Sequence, residues 1–280
     1  EAPVMCPLVI LRRPDHPWPA LLAANRDEMI DRPWAPPGRH WPDRPEVVAG
    51  LDRTAGGSWL GLNDDGVVAA VLNRRGSLGP APGKRSRGEL VLEALDHADA
   101  VQAAEALAEL NPAAYRSFNM VVADNRDAYW LRNRGEAGTR VIEVAPIPPG
   151  LSMLTAYDLN DPQSPRTARH LADFRAAAVP DPEAPGPEGG DWAAWQALLA
   201  RSEAGSEAAM TVERGGFQTV CASLLALPAP AQGPAPGLPS GLSPGLSPVL
   251  AGAPRRPVWL FAPGRPDRHA FAPLETLQAP

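Results

Sequence analysis

Short apolar runs separated by turn residues dominate the chain, and they predict β-strands. The predicted strands cover residues 7–11, 20–24, 58–62, 67–72, 118–124, 128–132, 140–144 and 219–227. The turn Asn63–Gly66 joins two of these runs and the turn Asp124–Asp127 joins another two, which predicts two β-hairpins. Adjacent hairpins favour antiparallel sheets over alternating βαβ units.

Helical patterns fall in separate blocks between the strands. We predict helices over Leu90–His97, from Asp99 to about Leu110, over 166–178 and after Asp191. Ser86–Glu89 has the spacing of a capping box ahead of the first helix, and Ser164-Pro165 places a cap and a proline at the start of the third. Strands in hairpins and helices in separate blocks predict an α+β fold.

Two segments lack apolar periodicity. Residues 179–190 are rich in proline, glycine and acidic residues, and residues 228–257 repeat Pro, Gly, Ala and Ser. We expect 228–257 to be a flexible, dispensable insertion, because such a composition buries little apolar surface. Beyond it, Arg256–Phe261 is predicted to be a strand that returns to the sheet.

Composition narrows the class of protein. The chain has 280 residues, enough for one large domain or two smaller ones, and its net charge of −6 provides no basic surface for nucleic acid. It contains no apolar stretch of the ~20 residues that span a membrane. The expected partner is therefore a small molecule, with no nucleic acid and no stable membrane insertion; the oligomeric state stays open.

The two cysteines, Cys6 and Cys221, do not form a disulfide framework in a chain of 280 residues. We expect both thiols to be free and the protein to be cytoplasmic. The spacing of cysteines and histidines matches no zinc motif, so no metal is predicted. Cys221, inside an apolar run, is interpreted as a core residue of a strand.

Cys6 is the principal candidate for chemistry. If Met5 is the initiator and is removed, Cys6 becomes the N-terminal residue and carries a thiol and a free α-amine on one carbon. The amine titrates at about 7.7–8.0 and the thiol at about 8.5, so proton transfer between them costs little near neutral pH. We therefore expect the native protein to begin at Cys6.

Several motifs follow Cys6 in a fixed order, and together they resemble those of the NRDE family, also called the transport and Golgi organisation family. They are Met5-Cys6, Asn25-Arg26-Asp27-Glu28 with Arg32-Pro33, Ala49-Gly50-Leu51-Asp52, Gly56 to Gly61, Leu72-Asn73-Arg74, Phe118 to Asp124, and Gly150-Leu151-Ser152. The resemblance is dense over 5–75 and diffuse after 170. It implies a single domain over 5–280, preceded by an extension of residues 1–4.

The same resemblance implies the four-layer αββα sandwich of N-terminal nucleophile hydrolases, with two antiparallel sheets between helix layers. Similar cysteine amidases use the N-terminal cysteine as nucleophile. Carried onto this chain, the catalytic roles fall on Cys6, Arg26, Asp27 and Asn73. Substrate binding is assigned to further motif positions: Asn25, Glu28, Arg74, Asn119 and Ser152.

Physical chemistry agrees with these roles. A guanidinium near a thiol favours the thiolate, so we expect Arg26 to lower the pKa of Cys6. The Asp27 carboxylate would hold the N-terminal ammonium, and an amide N–H of Asn73 would stabilise an oxyanion. The structural alternatives are a small buried Cys6, a surface ion pair or turn at Arg26 and Asp27, and a turn cap at Asn73.

The chain departs from the family pattern at two places. Residues 1–4 precede Met5, and while they remain attached Cys6 has no free amine. Family members commonly have Asn where this chain has Met153, so any role of that Asn is lost or passes to Thr155 or Asn160.

Two functions remain open. The first is an enzyme, a cysteine N-terminal nucleophile hydrolase acting on a linear amide or thioester of a small metabolite through Cys6. The second is a binding or carrier protein that holds haem or an acyl-CoA-like hydrophobic metabolite in the same pocket. The dipeptide Cys6-Pro7, of a kind seen at some haem thiolate sites, and the family's link to haem handling support the second.

Overall fold

The computed structural model describes residues 6–135, 140–185, 190–203, 206–230 and 255–277. Its strands are β1 (Leu8–Arg12), β2 (Ala20–Met29), β3 (Trp34–Gly38), β4 (Val47–Asp52), β5 (Leu60–Asn63), β6 (Val68–Asn73), β7 (Phe118–Ala123), β8 (Ala128–Asn133), β9 (Glu143–Pro146), β10 (Gly150–Leu154), β11 (Glu213–Arg214), β12 (Phe217–Leu227), β13 (Val258–Ala262) and β14 (Ala272–Pro273). Its α-helices are α1 (Gly88–Leu95), α2 (Ala100–Ala108), α3 (Pro165–Ala176) and α4 (Ala193–Leu199). Two short 3-10 helices cover Pro112–Ala114 and Glu275–Leu277.

The strands form two sheets. Sheet A has the order β10-β1-β2-β12-β13-β14, with β11 paired to β12, and sheet B has the order β3-β4-β5-β6-β7-β8-β9. Every pairing between these strands is antiparallel. The two hairpins expected from turn chemistry are confirmed as β5–β6 and β7–β8.

Three apolar cores separate four layers. The central core lies between the sheets and contains Ile10, Leu62 and Val121. A second core packs α1 and α2 against the outer face of sheet B, and a third packs α3 and α4 against the outer face of sheet A. The predicted α+β fold with αββα layers is therefore confirmed, and the central core sets the walls of any site between the sheets.

Helix starts follow the predicted caps in two cases and not in a third. Asp99 accepts the Gln102 backbone N–H at 2.8 Å, and Ser164 accepts that of Thr167 at 3.3 Å. The capping box at Ser86–Glu89 is wrong: α1 starts after Arg87 without a side-chain cap, and Glu89 pairs with Arg85 instead. That ion pair satisfies Glu89 locally, so its carboxylate does not reach back to the helix start.

The region 179–190 pairs briefly through an isolated bridge between Asp181 and Asp191. Of the expected insertion 228–257, residues 231–254 lie outside the described residues, as do residues 1–5. The return strand is confirmed as β13, which pairs with β12 from Val258 to Ala262. The chain then continues into β14, which the apolar pattern did not predict.

No helix in the described ranges is long and apolar enough to cross a membrane. In the same ranges, no group of three or more His, Cys, Asp or Glu side chains is arranged to hold a metal ion.

Candidate functional site

Strand β2 positions several side chains of the site. The apolar run predicted a strand over 20–24 with a polar turn after it, but β2 continues through Asn25, Arg26, Asp27 and Glu28 to Met29. The turn interpretation of these four residues is therefore wrong. Because side chains alternate across a strand, Asn25 and Asp27 face α3 and α4, whereas Arg26 and Glu28 face the space between the sheets.

The two outward side chains hold the fold together. The Asn25 side-chain amide donates to the carbonyl oxygens of Leu199 at 3.0 Å and Met210 at 2.9 Å, which fixes the end of α4 on sheet A. Asn25 borders the pocket only through its place in the strand; its polar group is turned away. The Asn25 amide nitrogen is therefore committed to these two carbonyl oxygens, and the assignment of Asn25 to substrate binding stays a prediction.

Asp27 occupies a buried polar network. Its Oδ2 accepts a hydrogen bond from Arg166 Nη1 at 2.8 Å, and its Oδ1 accepts one from the Thr219 hydroxyl at 2.6 Å. Burial raises the pKa of Asp27, while the Arg166 charge and the Thr219 hydrogen bond oppose that rise. The carboxylate therefore faces α3, and only the backbone of Asp27 reaches Cys6.

Arg26 provides the positive charge at the inner face. Its side chain is 6% exposed, and its guanidinium carbon lies 4.0 Å from the centre of the Trp59 ring. One nitrogen lies 3.6 Å from Glu28, whereas the buried Nη1 has no hydrogen-bond partner among the described residues. A buried N–H without a partner is unfavourable, so this group is a ready donor for a bound anion.

Glu28 is partly exposed at the same edge. Besides Arg26, its carboxylate lies 3.6 Å from Arg32, whose guanidinium also binds Asp52 through two nitrogens at 2.8 and 2.9 Å. Glu28 thus helps to position Arg26, and the substrate-binding assignment for it stays a prediction.

Cys6 lies two residues before β1 begins, beside Arg26. Continuing the β1–β2 register by two residues sets Cys6 opposite Arg26, and on the other side Arg26 pairs with Cys221 of β12. The Asp27 backbone N–H donates to Cys6 Sγ at 3.2 Å, and the thiol lies 3.6 Å from the Asp27 carbonyl oxygen. The prediction that Arg26 and Asp27 lie next to Cys6 is therefore met by the geometry.

A register shift between Thr219 and Cys221 brings the second thiol to the same face. Thr219 points outward to Asp27, while Val220 and Cys221 both belong to the central core. The interpretation of Cys221 as a core residue is confirmed, since it is 1% exposed, and it also borders the pocket of Cys6.

The electrostatics of Cys6 differ from the expectation. Burial, together with the Asp27 carboxylate, raises the pKa of the Cys6 thiol to about 12, although the Asp27 backbone N–H and Arg26 act in the opposite direction. Burial likewise raises the pKa of Cys221 to about 12. The expected lowering by Arg26 is present but is outweighed, because the pocket is largely apolar.

The pocket at Cys6 lies between the sheets. Leu8, Trp59, Leu60 and Leu72 form much of its wall, and its volume is about 30 Å³, enough for one or two water molecules. A haem does not fit this volume without displacement of the walls, so no step is derived through haem.

Asn73 does not meet Cys6. It is the last residue of β6, where Leu72 faces the central core, so the alternation of the strand directs Asn73 to the outer side of sheet B. It pairs with Phe118 and is not among the residues that border the pocket. Its predicted oxyanion role is therefore not supported by the geometry.

Arg74 and Asn119 belong to a second network. Arg74 Nη1 donates to Asn119 Oδ1 and to Asp158 Oδ1, both at 2.7 Å. The Asn119 amide donates to the carbonyl oxygens of Thr155 at 2.8 Å and Tyr157 at 2.6 Å. These hydrogen bonds hold the segment that follows β10 against sheet B. Arg74 and Asn119 therefore position the backbone beside Cys6.

The β10 positions lie further away. Ser152 pairs with Ile10, and its hydroxyl accepts from Asn160 at 3.1 Å. Its pairing with Ile10 places it away from Cys6 along the sheet, and its assignment to substrate binding stays a prediction. Met153 packs in the outer core of sheet A, on the face away from the pocket. An Asn at that position would therefore not face Cys6.

Sequence reasoning missed several residues that build the site. Arg166 and Thr219 hold Asp27, and Trp59, inside the motif from Gly56 to Gly61, covers Arg26. Gly50 lies where a Cβ would come within 2.3 Å of the Trp59 ring, so only glycine admits this packing. A signal for Trp59 existed, because it lies in a family motif; nothing in the local pattern marks Arg166.

Comparison with known proteins agrees with this description. "Transport and Golgi organization 2 homolog" of Mus musculus is 34% identical over 116 residues, covering 37% of this chain and 38% of that protein. The homologue of Bos taurus is 37% identical over 113 residues with the same coverage, and that of Homo sapiens is 34% identical over 127 residues, covering 41% and 44%. The chain thus matches less than half the length of these curated relatives.

Among solved structures, a Caenorhabditis elegans N-acylethanolamine-hydrolyzing acid amidase orthologue is similar with a TM-score of 0.41 and 11% identity, covering 55% of this chain and 70% of that one. Penicillin V acylase from Agrobacterium tumefaciens is similar with a TM-score of 0.34 and 17% identity, covering 50% and 49%. Both scores are low, so neither structure carries an argument about activity. The Transport and Golgi organisation 2 family profile, however, matches residues 5–178, and the chain belongs to that family.

Proposed function

We propose that the chain is a cysteine hydrolase of the N-terminal nucleophile type, which cleaves a linear amide or thioester through Cys6. The observation that carries the proposal is the position of the Cys6 thiol, in a pocket between the sheets and next to the buried Arg26 guanidinium. A nucleophile, an adjacent cation and an apolar wall are the parts that acyl transfer needs.

The reaction requires Cys6 to be the first residue. Its α-amine takes the thiol proton as Sγ attacks the carbonyl carbon, and the carbonyl oxygen becomes an oxyanion. The resulting ammonium returns the proton to the leaving amine or thiol as the tetrahedral intermediate collapses to a thioester. Water then attacks the thioester, the acid leaves, and the thiol is restored.

A raised thiol pKa is consistent with this requirement. With residues 1–5 attached, the pKa of Cys6 is about 12 and the thiol is protonated at neutral pH. Release of the α-amine would add a base and, when that amine is protonated, a positive charge within reach of the sulfur. Processing would therefore switch the nucleophile on.

Arg26 replaces Asn73 as the candidate group for the developing negative charge. Its Nη1 is buried without a hydrogen-bond partner among the described residues, and Trp59 and Glu28 hold the guanidinium in place. A preorganised donor contributes more in such a site than in water, because it needs no reorganisation during the reaction.

The test compares protein that begins at Cys6 with the full chain. Each is incubated with decanoyl p-nitroanilide and with a decanoyl thioester, and the mass of the peptide containing Cys6 is measured. We expect a decanoyl adduct and product release only when Cys6 is N-terminal, and we expect both to disappear in Cys6→Ala and to persist in Cys221→Ala. Folded protein beginning at Cys6 that gives neither adduct nor product would refute the proposal.

The second candidate is a carrier for haem or an acyl-CoA-like hydrophobic metabolite. The apolar wall favours a hydrophobic metabolite, whereas the small pocket and the protonated thiol, with its pKa of about 12, count against haem. Titration with haem distinguishes the two: a Soret shift that is lost in Cys6→Ala supports the carrier, and an unchanged free-haem spectrum counts against haem.

A further inference from the structure

A second, more polar cavity lies beside the Cys6 pocket. Its volume is about 330 Å³, and Arg75, Ser117, Ala156, Tyr157 and Gln163 are among the residues that border it. Its polar lining contrasts with the largely apolar wall around Cys6. We call it the Arg75 cavity.

Most cations around this cavity already have partners. Arg74 binds Asp158, Arg132 binds Asp158 and Glu143, and Arg134 lies 2.9 Å from Glu143.

Arg75 differs from these three arginines. Its guanidinium carbon lies 5.1 Å from the centre of the Tyr157 ring, and within the described ranges it makes no hydrogen bond and no ion pair. Arg75 is an exposed residue, so this cation lies against the Tyr157 ring at the open side of the cavity, with its N–H donors available.

The two cavities are neighbours on both sheets. On sheet B, Leu72 of β6 borders the Cys6 pocket, and Arg74, the first residue after that strand, borders the Arg75 cavity, so about 7 Å of chain connects them. On sheet A, continuing the β1–β10 register by two residues sets Ala156, part of the Arg75 cavity, opposite Cys6. One strand spacing, about 5 Å, therefore separates Cys6 from this wall.

The charges of the lining also limit which anion fits. Asp158 and Asp161 border the cavity, and the Asp161 carboxylate accepts the Gln163 backbone N–H at 2.8 Å. These carboxylates disfavour a dianion such as a phosphate, whereas one carboxylate can pair with Arg75. The short distance to Cys6 favours an anion only a few bonds from the scissile amide.

We propose that the Arg75 cavity binds the carboxylate of the leaving group, so that the substrate is an N-acyl amino acid. The inference rests on the proposed hydrolase function and deepens it. The amide carbon lies at Cys6 Sγ, the carboxylate pairs with Arg75, and the walls of the 30 Å³ apolar pocket move apart to admit the acyl chain. Hydrolysis breaks the C–N bond, and water supplies the hydroxyl of the fatty acid and the proton of the free amino acid.

The test measures binding without turnover. Isothermal titration is carried out on the full chain and on protein beginning at position 6, both carrying Cys6→Ala. The probes are N-decanoylglycine, its neutral analogue N-decanoylethanolamine and the phosphate ester of that analogue. Arg75→Ala and Arg75→Lys are added on this background, with Arg53→Ala as a control, because Arg53 is an exposed arginine that borders neither cavity.

We expect the glycine conjugate to bind roughly tenfold more tightly than the neutral analogue, the size of effect that a charge-assisted hydrogen bond supplies. Arg75→Ala should remove this preference without weakening the neutral analogue, Arg75→Lys should keep part of it, and Arg53→Ala should leave it intact. A preference that survives Arg75→Ala, or none in the parent, overturns the inference. Tighter binding of the phosphate ester also overturns it.

Turnover by protein that begins at an intact Cys6 separates this inference from the proposed function. A preference that depends on Arg75, without turnover of any probe, supports the binding of the carboxylate and counts against the hydrolase. Equal turnover of the charged and neutral amides supports the hydrolase and overturns the inference.

Discussion

The buried ion pair between Arg166 and Asp27 should be the most sensitive structural element near the site. Arg166 Nη1 lies 2.8 Å from Asp27 Oδ2, and the side chains are 3% and 0% exposed. The pair links α3 to β2, and the Thr219 hydroxyl extends it to β12. Replacing Arg166 with Leu leaves a carboxylate buried with one hydroxyl partner.

The expected cost is large. Removing one partner of a buried pair destabilises a protein by about 3–5 kcal/mol, because the remaining charge is uncompensated. Arg166 Nε also donates to the Ala209 carbonyl oxygen at 2.7 Å, and losing that bond costs about 1 kcal/mol. We therefore expect the free energy of unfolding to fall by about 4–6 kcal/mol, a major part of the 5–15 kcal/mol typical of a folded domain.

Urea denaturation followed by fluorescence measures this change. Arg169→Leu is a matched control, because Arg169 lies on the same helix, is 50% exposed and pairs with Asp173 at 3.2 Å. An exposed pair contributes at most ~1 kcal/mol, so the control should be close to the parent. The double variant Arg166→Leu with Asp27→Asn should recover part of the loss, because no charge remains buried.

The pH dependence provides a second check. Burial raises the pKa of Asp27, and removing Arg166 removes an opposing effect, so the folded variant should bind a proton more readily than the unfolded chain. An acid whose pKa is raised on folding loses stability as pH rises through that pKa. The deficit of Arg166→Leu relative to the parent should therefore be largest near pH 7 and shrink toward pH ~4, where an unfolded Asp titrates. A loss below about 1 kcal/mol, or one independent of pH, would refute the reasoning.

Three further predictions follow from the geometry of the site. In the full chain, iodoacetamide should label both Cys6 and Cys221 slowly at pH 6.5, because both pKa values are about 12, and cleavage to Cys6 should accelerate only the first; equal rates after cleavage would contradict this. Gly50→Ala should shift the fluorescence of Trp59 and destabilise the fold by about 1–3 kcal/mol, because the new methyl group meets the ring; an unchanged emission spectrum would argue against the contact. Asn119→Ala should accelerate amide hydrogen exchange in 155–158 by leaving two carbonyl oxygens without their donor, and exchange equal to that of the parent would show that the segment is held by other contacts.

Features that depend on adjacent residues could be predicted from the sequence. The hairpin turns Asn63–Gly66 and Asp124–Asp127 and the caps Asp99 and Ser164 all depend on residues a few positions away, and the structure has each of them. The hairpins and the separate helix blocks predicted the α+β fold, and the family resemblance predicted its four-layer sandwich.

Features that depend on residues far away along the chain could not be predicted from the sequence. Asp27 sits inside a strand because Arg166 and Thr219, 139 and 192 residues further along the chain, satisfy its carboxylate. Without those partners, a polar run after an apolar one indicates the end of a strand. Strand β3 was missed for a local reason, since prolines in Trp34–Gly38 weaken the strand pattern at this edge of the sheet.

The outward position of Asn73 has a geometric reason. Its neighbours Leu72 and Arg74 face the central space, so a strand period of two directs Asn73 to the opposite face. The order of the motifs along the chain indicates which strands lie near one another. It does not indicate on which face of the sheet each side chain lies. Arg26 could be placed near Cys6 from the resemblance, whereas its unpartnered Nη1 became visible only with the packing of Trp59.

The alternation along β2 has a consequence for how single substitutions act. Asn25 and Asp27 hold helices against sheet A, whereas Arg26 borders the pocket and Glu28 pairs with it. Substitutions at the first pair should lower the amount of folded protein, and those at the second should leave that amount unchanged while altering the pocket. Neighbouring positions of one strand would then give two distinct classes of variant, and only the first class would be rescued by a ligand that stabilises the fold.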